Sequence, residues 1–262
     1  MRSDGRPNDT LRPVRVTRGF TQTPAGSVLW QQGNTILLCT ASVSREVPPW
    51  MKEDRPGGWV TCEYVMLPGS TPSRKPWPKV GHTDSRGTEI QRLIGRSLRA
   101  AVDLSKIGPH TIALDCQVLQ ADGGTRTAAI CGAWVALADA VAKLPKELPP
   151  PPGRPAAGDG APVPARYDPA YYDPAGALVE QVAAVSVGVI DGEVRLDLDY
   201  KDDSRAEVDL NLAMTGNGRI VEVQGSSEQG AGFAPARLAE MVDLASEGCR
   251  QLLEIQRRAR AT

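Results

Sequence analysis

The chain has 262 residues with 41% apolar and 23% charged side chains, a formal net charge of -1 and a pI near 6.2. That is an ordinary globular balance, long enough to bury a sizeable core. It excludes a disordered polyanion and an overall basic nucleic-acid coat, so any RNA partner must be met by a local basic patch.

The N-terminal run Met1-Arg-Ser-Asp-Gly-Arg6 has no apolar stretch behind its charges, and no run of about 18 apolar residues occurs anywhere. A signal peptide and membrane spans are therefore not expected, and a cytoplasmic location follows by default. Arg2, Asp4, Arg6 and Arg12 are candidate surface or subunit-contact charges. The five cysteines lack Cys-x-x-Cys spacing and sit in apolar runs, so they read as reduced and buried.

From Val14 the texture is that of strands: 14–20, 26–31 and 35–43, the last two joined by a hairpin turn at Gln32-Gly33-Asn34. A loop with Pro48-Pro49 and Gly57-Gly58 precedes another strand, Trp59 to Leu67. Residues 69–86 hold Pro, Ser, Lys and Arg with an interleaved Trp77, a composition suited to a surface loop that touches a phosphate backbone. Thr88 to Val102 spaces Ile90, Leu93, Ile94, Leu98, Ala101 and Val102 for a helix. Arg92, Arg96 and Arg99 form a basic stripe beside that apolar face, and mutual repulsion along it favours an anionic neighbour.

The strand-like run Thr111 to Leu119 leads into Gln120-Ala-Asp-Gly-Gly-Thr-Arg-Thr127 and then a helix to about Leu144, with Ala129, Ile130, Ala133, Trp134, Leu137 and Val141 on one side. Two glycines opening a helix, followed at once by Thr125 and Arg126, suit an anion, phosphate above all. A plain tight strand-to-helix connection has the same signature. Residues 145–177 carry ten of the 22 prolines and read as a connector with polyproline-like or disordered conformers.

The second half opens with a strand over 182–190, a turn at Asp191-Gly192 and a strand over 193–200. Alternation directs Val194, Leu196, Leu198 and Tyr200 inward, and Arg195, Asp197 and Asp199 outward. The next strand, 206–215, repeats the design with Glu207, Asp209 and Asn211 outward, and Asn217-Gly218 turns into 219–224. A face so rich in carboxylates is destabilising unless a cation sits among them, and oxygen ligands without His or Cys select Mg²⁺ or Mn²⁺. Pro235 to Arg260 is a final helix. His82 and His110 have no Ser or Cys partner, so a nucleophilic triad is not expected.

Arg-Ser-Asp-Gly-Arg at 2–6, Gly-Asn-Thr at 33–35, Cys39 to Val43, Gly58 to Tyr64, Glu89 to Arg96, Asp115 to Thr127, Ala183 to Gly188 and Val223-Gln-Gly225 together resemble the RNase PH family, the phosphate-dependent tRNA 3′-end exoribonucleases. The resemblance covers nearly the whole length and implies an α+β fold of two similar βα halves with ribosomal-protein-like βαβ topology and helices packed on mixed sheets. Residues 1–262 would then form one RNase PH domain, with 145–177 linking its halves. It further implies phosphorolysis, in which inorganic phosphate releases nucleoside diphosphates from precursor tRNA 3′ ends, and a homo-hexamer built as a trimer of dimers. The phosphate positions carried over are Arg86, Gly124, Thr125 and Arg126; Asp197 and Asp203 carry the metal and catalytic roles, with Asp203 open to acting as general acid instead. RNA contacts would fall to Arg74, Lys75 and Lys79 and to the stripe Arg92, Arg96 and Arg99.

The chain departs from the family in the Ser85-Arg-Gly-Thr88 neighbourhood of Arg86, at Gly69 and Trp77 in the basic loop, and in the long connector. The alternative reading is a non-catalytic or weakly active RNA-binding ring subunit of an exosome-like assembly, which loss of Arg126 or the aspartates would have favoured. A P-loop reading of the glycine turn fails because Gly-Lys-Ser/Thr is absent.

Overall fold

A computed structural model describes residues 2, 4–52, 54–77, 84–151, 163–228 and 232–261. Strands β1 (Val14–Arg18), β2 (Gly26–Gln32) and β3 (Thr35–Ser44) form an antiparallel meander. The β2–β3 connection is two residues long, and Gly33 takes φ +56° there, a backbone region that suits glycine. β4 (Trp59–Met66) passes through helix α1 (Ser85–Arg99) to β5 (Thr111–Gln120), which inserts between β3 and β4 and runs parallel to β4. The first sheet is therefore mixed, in the order β1-β2-β3-β5-β4.

The second sheet is antiparallel throughout, in the order β7-β6-β8-β9, from β6 (Val182–Ile190), β7 (Glu193–Leu196), β8 (Val208–Thr215) and β9 (Ile220–Ser227). Its hairpin turn at Asp191-Gly192 has positive φ at both residues, as the sequence dipeptide requires. Each sheet is followed by a long helix: α2 (Thr125–Ala142) after the first and α4 (Pro235–Ala261) after the second. This is the α+β arrangement of two βα halves.

Helix α2 binds the halves together. The spacing of its large residues predicts one apolar side, but Thr127 to Ala138 is buried all round, because α2 packs against β2 and β3 of one sheet and β6 of the other. Its Ala, Gly and Cys content makes that possible: alanine favours helix, and the small side chains let strands approach from both sides. At Gly132 an added Cβ would stand 2.8 Å from Cys39 Sγ. Helix α4 covers the opposite face of the second sheet with one stripe, Met241, Ala245, Gly248, Cys249, Leu252 and Leu253. Buried Gln256 closes the joint by donating to the carbonyls of Cys131 and Val182. All five cysteines are free and buried, as their apolar settings predict.

Three expectations change. Helix α1 starts three residues earlier than its apolar spacing suggests, because the Asp84 carboxylate accepts from the Gly87 N–H and caps it there. The connector is built, over its described second part, from short 3₁₀ turns tied down by side chains: buried Arg166 donates to the carbonyls of Met51 and Lys52, and Tyr172 Oη donates to Pro145 O. Arg2 and Arg12, read as candidate surface or subunit-contact charges, are buried within the chain. Both reach into the second half, where carboxylates and backbone carbonyls satisfy their guanidinium groups.

Candidate active site

The positively charged side of the site grows out of the end of β5. Ala121 N–H donates to Ser70 O, which stitches the basic loop to the turn that follows. Gly123 and Gly124 then take φ +76° and +62°. A Cβ at Gly123 would overlap the Leu198 carbonyl, so this turn is in direct backbone contact with the second half. Gly124 is the N-cap of α2 and offers no side chain to its first turn. The free N–H groups there therefore face the site as partial positive charge.

Mostly neutral neighbours hold the side chains of that turn, with the Glu89 carboxylate standing beside Arg126. Tyr64 Oη and Thr125 Oγ1 are 2.8 Å apart, and Thr127 Oγ1 donates to Gly124 O. Arg126 Nη1 donates to Gln224 Oε1 of β9 at 2.8 Å and lies 3.9 Å from Glu89 Oε1, while Gln224 Nε2 donates to that same carboxylate. Arg86, in the first turn of α1, completes the pair of arginines lining the cavity.

The acidic side departs from the alternating strand that the sequence suggests. β7 ends at Leu196, because Asp197 turns to φ +54°. Asp199 does not project outward: it caps the short helix α3 (Tyr200–Asp203) by accepting from Asp202 N at 2.8 Å. Tyr200, expected inward, is exposed. Nor is the acidic face a solvated one. Asp197 is 1% exposed, and Arg12 meets it with Nη2–Oδ1 at 2.6 Å, Nε–Oδ2 at 3.1 Å and its backbone N–H on Oδ2 at 2.7 Å. Buried Asp202 pairs with Arg195 at 2.9 Å and Arg2 at 3.1 Å. Two of the segment's carboxylates are thus balanced internally by arginines.

Two acids of this segment remain for the cavity, whose third carboxylate, Asp122 of the glycine turn, already accepts from Tyr200 N and Asn34 Nδ2. Asp203 and Asp209 line it with Asn211 and Ser186, opposite Arg86 and Arg126. The cavity holds about 550 Å³. Burial raises the Asp203 carboxyl above its ordinary value, against the pull of Arg126 and Arg86. Burial, with the Asp203 charge second, pushes Asp209 up to about 6. Asp197 behaves oppositely: burial would raise it, but the Arg12 charge and hydrogen bonds outweigh that and hold it below the usual carboxylate range.

The structure thus brings together Arg86, Gly124, Thr125, Arg126 and Asp203, and leaves Asp197 outside the lining. Among the described residues no group of three or more His, Cys, Asp or Glu could hold a metal ion. The acids facing the cavity still fit a hard cation, since two crowded carboxylates beside an amide oxygen are eased by one. Of the basic residues, Lys75 lines the cavity, while Arg74 is exposed and Lys79 lies outside the described residues, as does His82. Arg92 is exposed; Arg96 is paired with Glu222 at 2.9 Å, and Arg99 stacks 4.7 Å above the Trp59 ring and donates to Val60 O. The anionic neighbour expected along that stripe is, for Arg96, a carboxylate of β9.

Tyr64, Asp122 and Ser186 are site residues that the sequence reading did not single out, and it named Asp209 and Asn211 only as members of the carboxylate-rich face. For Asp209 and Asn211 the signal existed, since alternation places them on one face. Arg12 offered none.

The 3′ exoribonuclease family matches this chain twice, its domain 1 over residues 10–143 and its domain 2 over 180–248. Ribonuclease PH of Corynebacterium efficiens is 51% identical over 259 residues, covering 98% of this chain and 96% of that one. Ribonuclease PH of Nocardia farcinica is 52% identical over 261 residues, covering 99% and 92%. The fold is shared with an Archaeoglobus fulgidus exosome chain, solved with RNA bound to the active site, at TM-score 0.73 and 20% identity over 97% of this chain and 91% of that one. Rice Rrp46 is similar at TM-score 0.69 and 19% identity over 98% of both. The chain belongs to the RNase PH family of 3′ exoribonucleases.

Proposed function

We propose that this enzyme trims the 3′ tails of precursor tRNA by phosphorolysis in the cavity between α2 and the second sheet. The observation that carries the reading is the meeting there of two arginines and an uncapped helix N-terminus with two carboxylates of raised pKa. Inorganic phosphate would be held by Arg86, Arg126, Thr125 and the N–H groups that follow Gly124. Both reactants are anions, so without such donors their repulsion would dominate the approach. Gln224 holds Arg126 by a neutral hydrogen bond, and the Glu89 carboxylate stands off at 3.9 Å and is itself engaged by Gln224.

An oxygen of hydrogen phosphate attacks the 3′-terminal phosphodiester. The new P–O bond makes a nucleoside diphosphate, the bond to the penultimate 3′ oxygen breaks, and the proton of hydrogen phosphate ends on that oxygen. Asp203 and Asp209, with Asn211, would hold Mg²⁺ or Mn²⁺, which when bound supplies positive charge beside the transferring phosphoryl group. Asp203 is open instead to acting as the general acid in place of holding the metal, since burial raises its carboxyl when no metal is bound.

The RNA would lie along Arg74, Lys75 and Lys79 of the loop after β4, with Arg92 at its edge. The two halves would work as one unit linked by residues 145–177, in a ring of six chains built as a trimer of dimers, in the cytoplasm. No described helix is long and apolar enough to cross a membrane. The test is purified protein with a 3′-extended tRNA and Mg²⁺, with and without phosphate. Nucleoside diphosphates that appear only with phosphate are the expected product; monophosphates, or no product, would reject the reading.

A further inference from the structure

We propose that Asp197 is a positioning residue: with Arg12 it forms a buried clasp that holds the glycine turn against the acidic segment, and it acts on the reaction through that turn. The inference rests on the phosphorolytic reading above.

Both oxygens of the Asp197 carboxylate are occupied, Oδ1 by Arg12 Nη2 and Oδ2 by Arg12 Nε and backbone N–H. Its backbone carbonyl accepts from Arg2 Nη2 and Arg6 Nη2. At 1% exposure, with a guanidinium in van der Waals contact, this carboxylate presents no face to a divalent cation, which Arg12 would repel.

The other edge of Arg12 does the mechanical part. Nη1 donates to Asp122 O and Nη2 to Gly123 O at 3.5 Å, the two carbonyls immediately before the N-cap of α2. Thr35 grips the same two residues, donating to Gly123 O at 2.7 Å and accepting from Asp122 N at 3.0 Å. From the far side, Asp122 Oδ1 accepts from Tyr200 N, three residues before Asp203. Arg12 therefore ties Asp197, where the chain bends toward Asp203, to the turn that would bind phosphate. The left-handed conformation of Asp197 fits this role, since a strained residue persists only where its surroundings fix it.

The test compares wild type with Asp197→Asn, Arg12→Gln, the double variant and Thr35→Val. Each is titrated with phosphate and with Mg²⁺ in the diphosphate-release assay, and each is melted with and without inorganic phosphate in the absence of metal. Each single change is expected to raise the phosphate KM about tenfold or more with a smaller fall in kcat, and to shrink the phosphate-induced rise in Tm. The Mg²⁺ activation midpoint should stay within about twofold, and the double variant should be no worse than the worse single, because both remove one clasp.

A Mg²⁺ midpoint shifted tenfold by Asp197→Asn but not by Arg12→Gln would overturn the proposal in favour of a metal ligand. Should the charge-removing variants not fold, Thr35→Val decides alone: an unchanged phosphate KM there overturns the clasp. A wild type that releases no diphosphates rejects the functional reading instead, so the two failures are distinct.

Discussion

The two sides of the cavity solve opposite problems. On the glycine turn, positive potential comes from backbone N–H groups and from Arg126, which Gln224 steadies by a hydrogen bond and Glu89 meets only at 3.9 Å, while the Tyr64–Thr125 pair fixes the hydroxyl beside it. On the acidic segment, two of the carboxylates are neutralised by buried guanidinium groups, and only Asp203 and Asp209 are left facing the cavity. The contrast shows that a count of charges along the chain is a poor guide to the field at a site. What matters is which charges keep an open side, and here Arg86, Arg126 and Lys75 share one cavity with Asp203 and Asp209, while Asp122 is engaged by Tyr200 and Asn34.

If that balance is right, removing a cation from the turn costs most. Arg126→Ala should lower phosphate-dependent diphosphate release by about 10²–10³-fold, the scale of losing a donor to developing charge. Its circular dichroism and melting should stay near wild type, because Arg126 makes one hydrogen bond to Gln224 and one long, half-exposed ion pair to Glu89. A loss of less than about tenfold would place the phosphate elsewhere.

The acidic side should respond next, and differently. Asp203→Asn is expected to lower release by about 10²-fold and to abolish the rise in Tm that Mg²⁺ gives the wild type at pH 7. An undiminished Mg²⁺ shift in that variant would show that the cation is held by other groups.

The turn was legible in the sequence for a physical reason. Adjacent glycines, a strand before and a helix after specify a local bend, and that bend is present, with positive φ at Gly123 and Gly124. The strands and helices were legible on the same ground, from periodicity. The acidic segment was not, because its reading rested on alternation through Tyr200, and the bend at Asp197 is imposed by arginines some 185 residues away in sequence. No local pattern encodes that. The burial of Arg2 and Arg12 within the chain was not legible for the same reason, since charged residues are buried only when distant partners satisfy them.

A smaller effect tests the electrostatics of the acid pair itself. The folded Asp209 carboxyl titrates at about 6, above its unfolded value of 3.8, so the native state keeps a proton that the unfolded chain has lost. Stability from this group is therefore full below about pH 4 and declines as pH rises through about 6, by at most ~3 kcal/mol. Asp209→Asn should remove that decline, so its melting temperature should gain on wild type between pH 4 and 7 in the absence of divalent cations. Equal pH profiles for the two proteins would mean that Asp209 is better solvated than its setting implies.

The smallest effect is expected on the basic stripe of α1, where the same principle of open and engaged charges applies at the surface. Arg96 is half-exposed and already paired with Glu222, so Arg96→Ala exchanges one screened ion pair for water and should change stability by no more than about 0.5 kcal/mol. Arg99 differs, since its guanidinium stacks on Trp59 and reaches Val60 O; Arg99→Ala should cost roughly 1 kcal/mol more through lost packing. Neither change should move the RNA KM beyond about twofold if these arginines serve the fold, because a charge already engaged by a neighbour contributes little to a distant phosphate. A several-fold rise in RNA KM on Arg96→Ala, growing as salt is lowered, would instead mean that RNA displaces Glu222 and that the stripe is a working part of the cationic side.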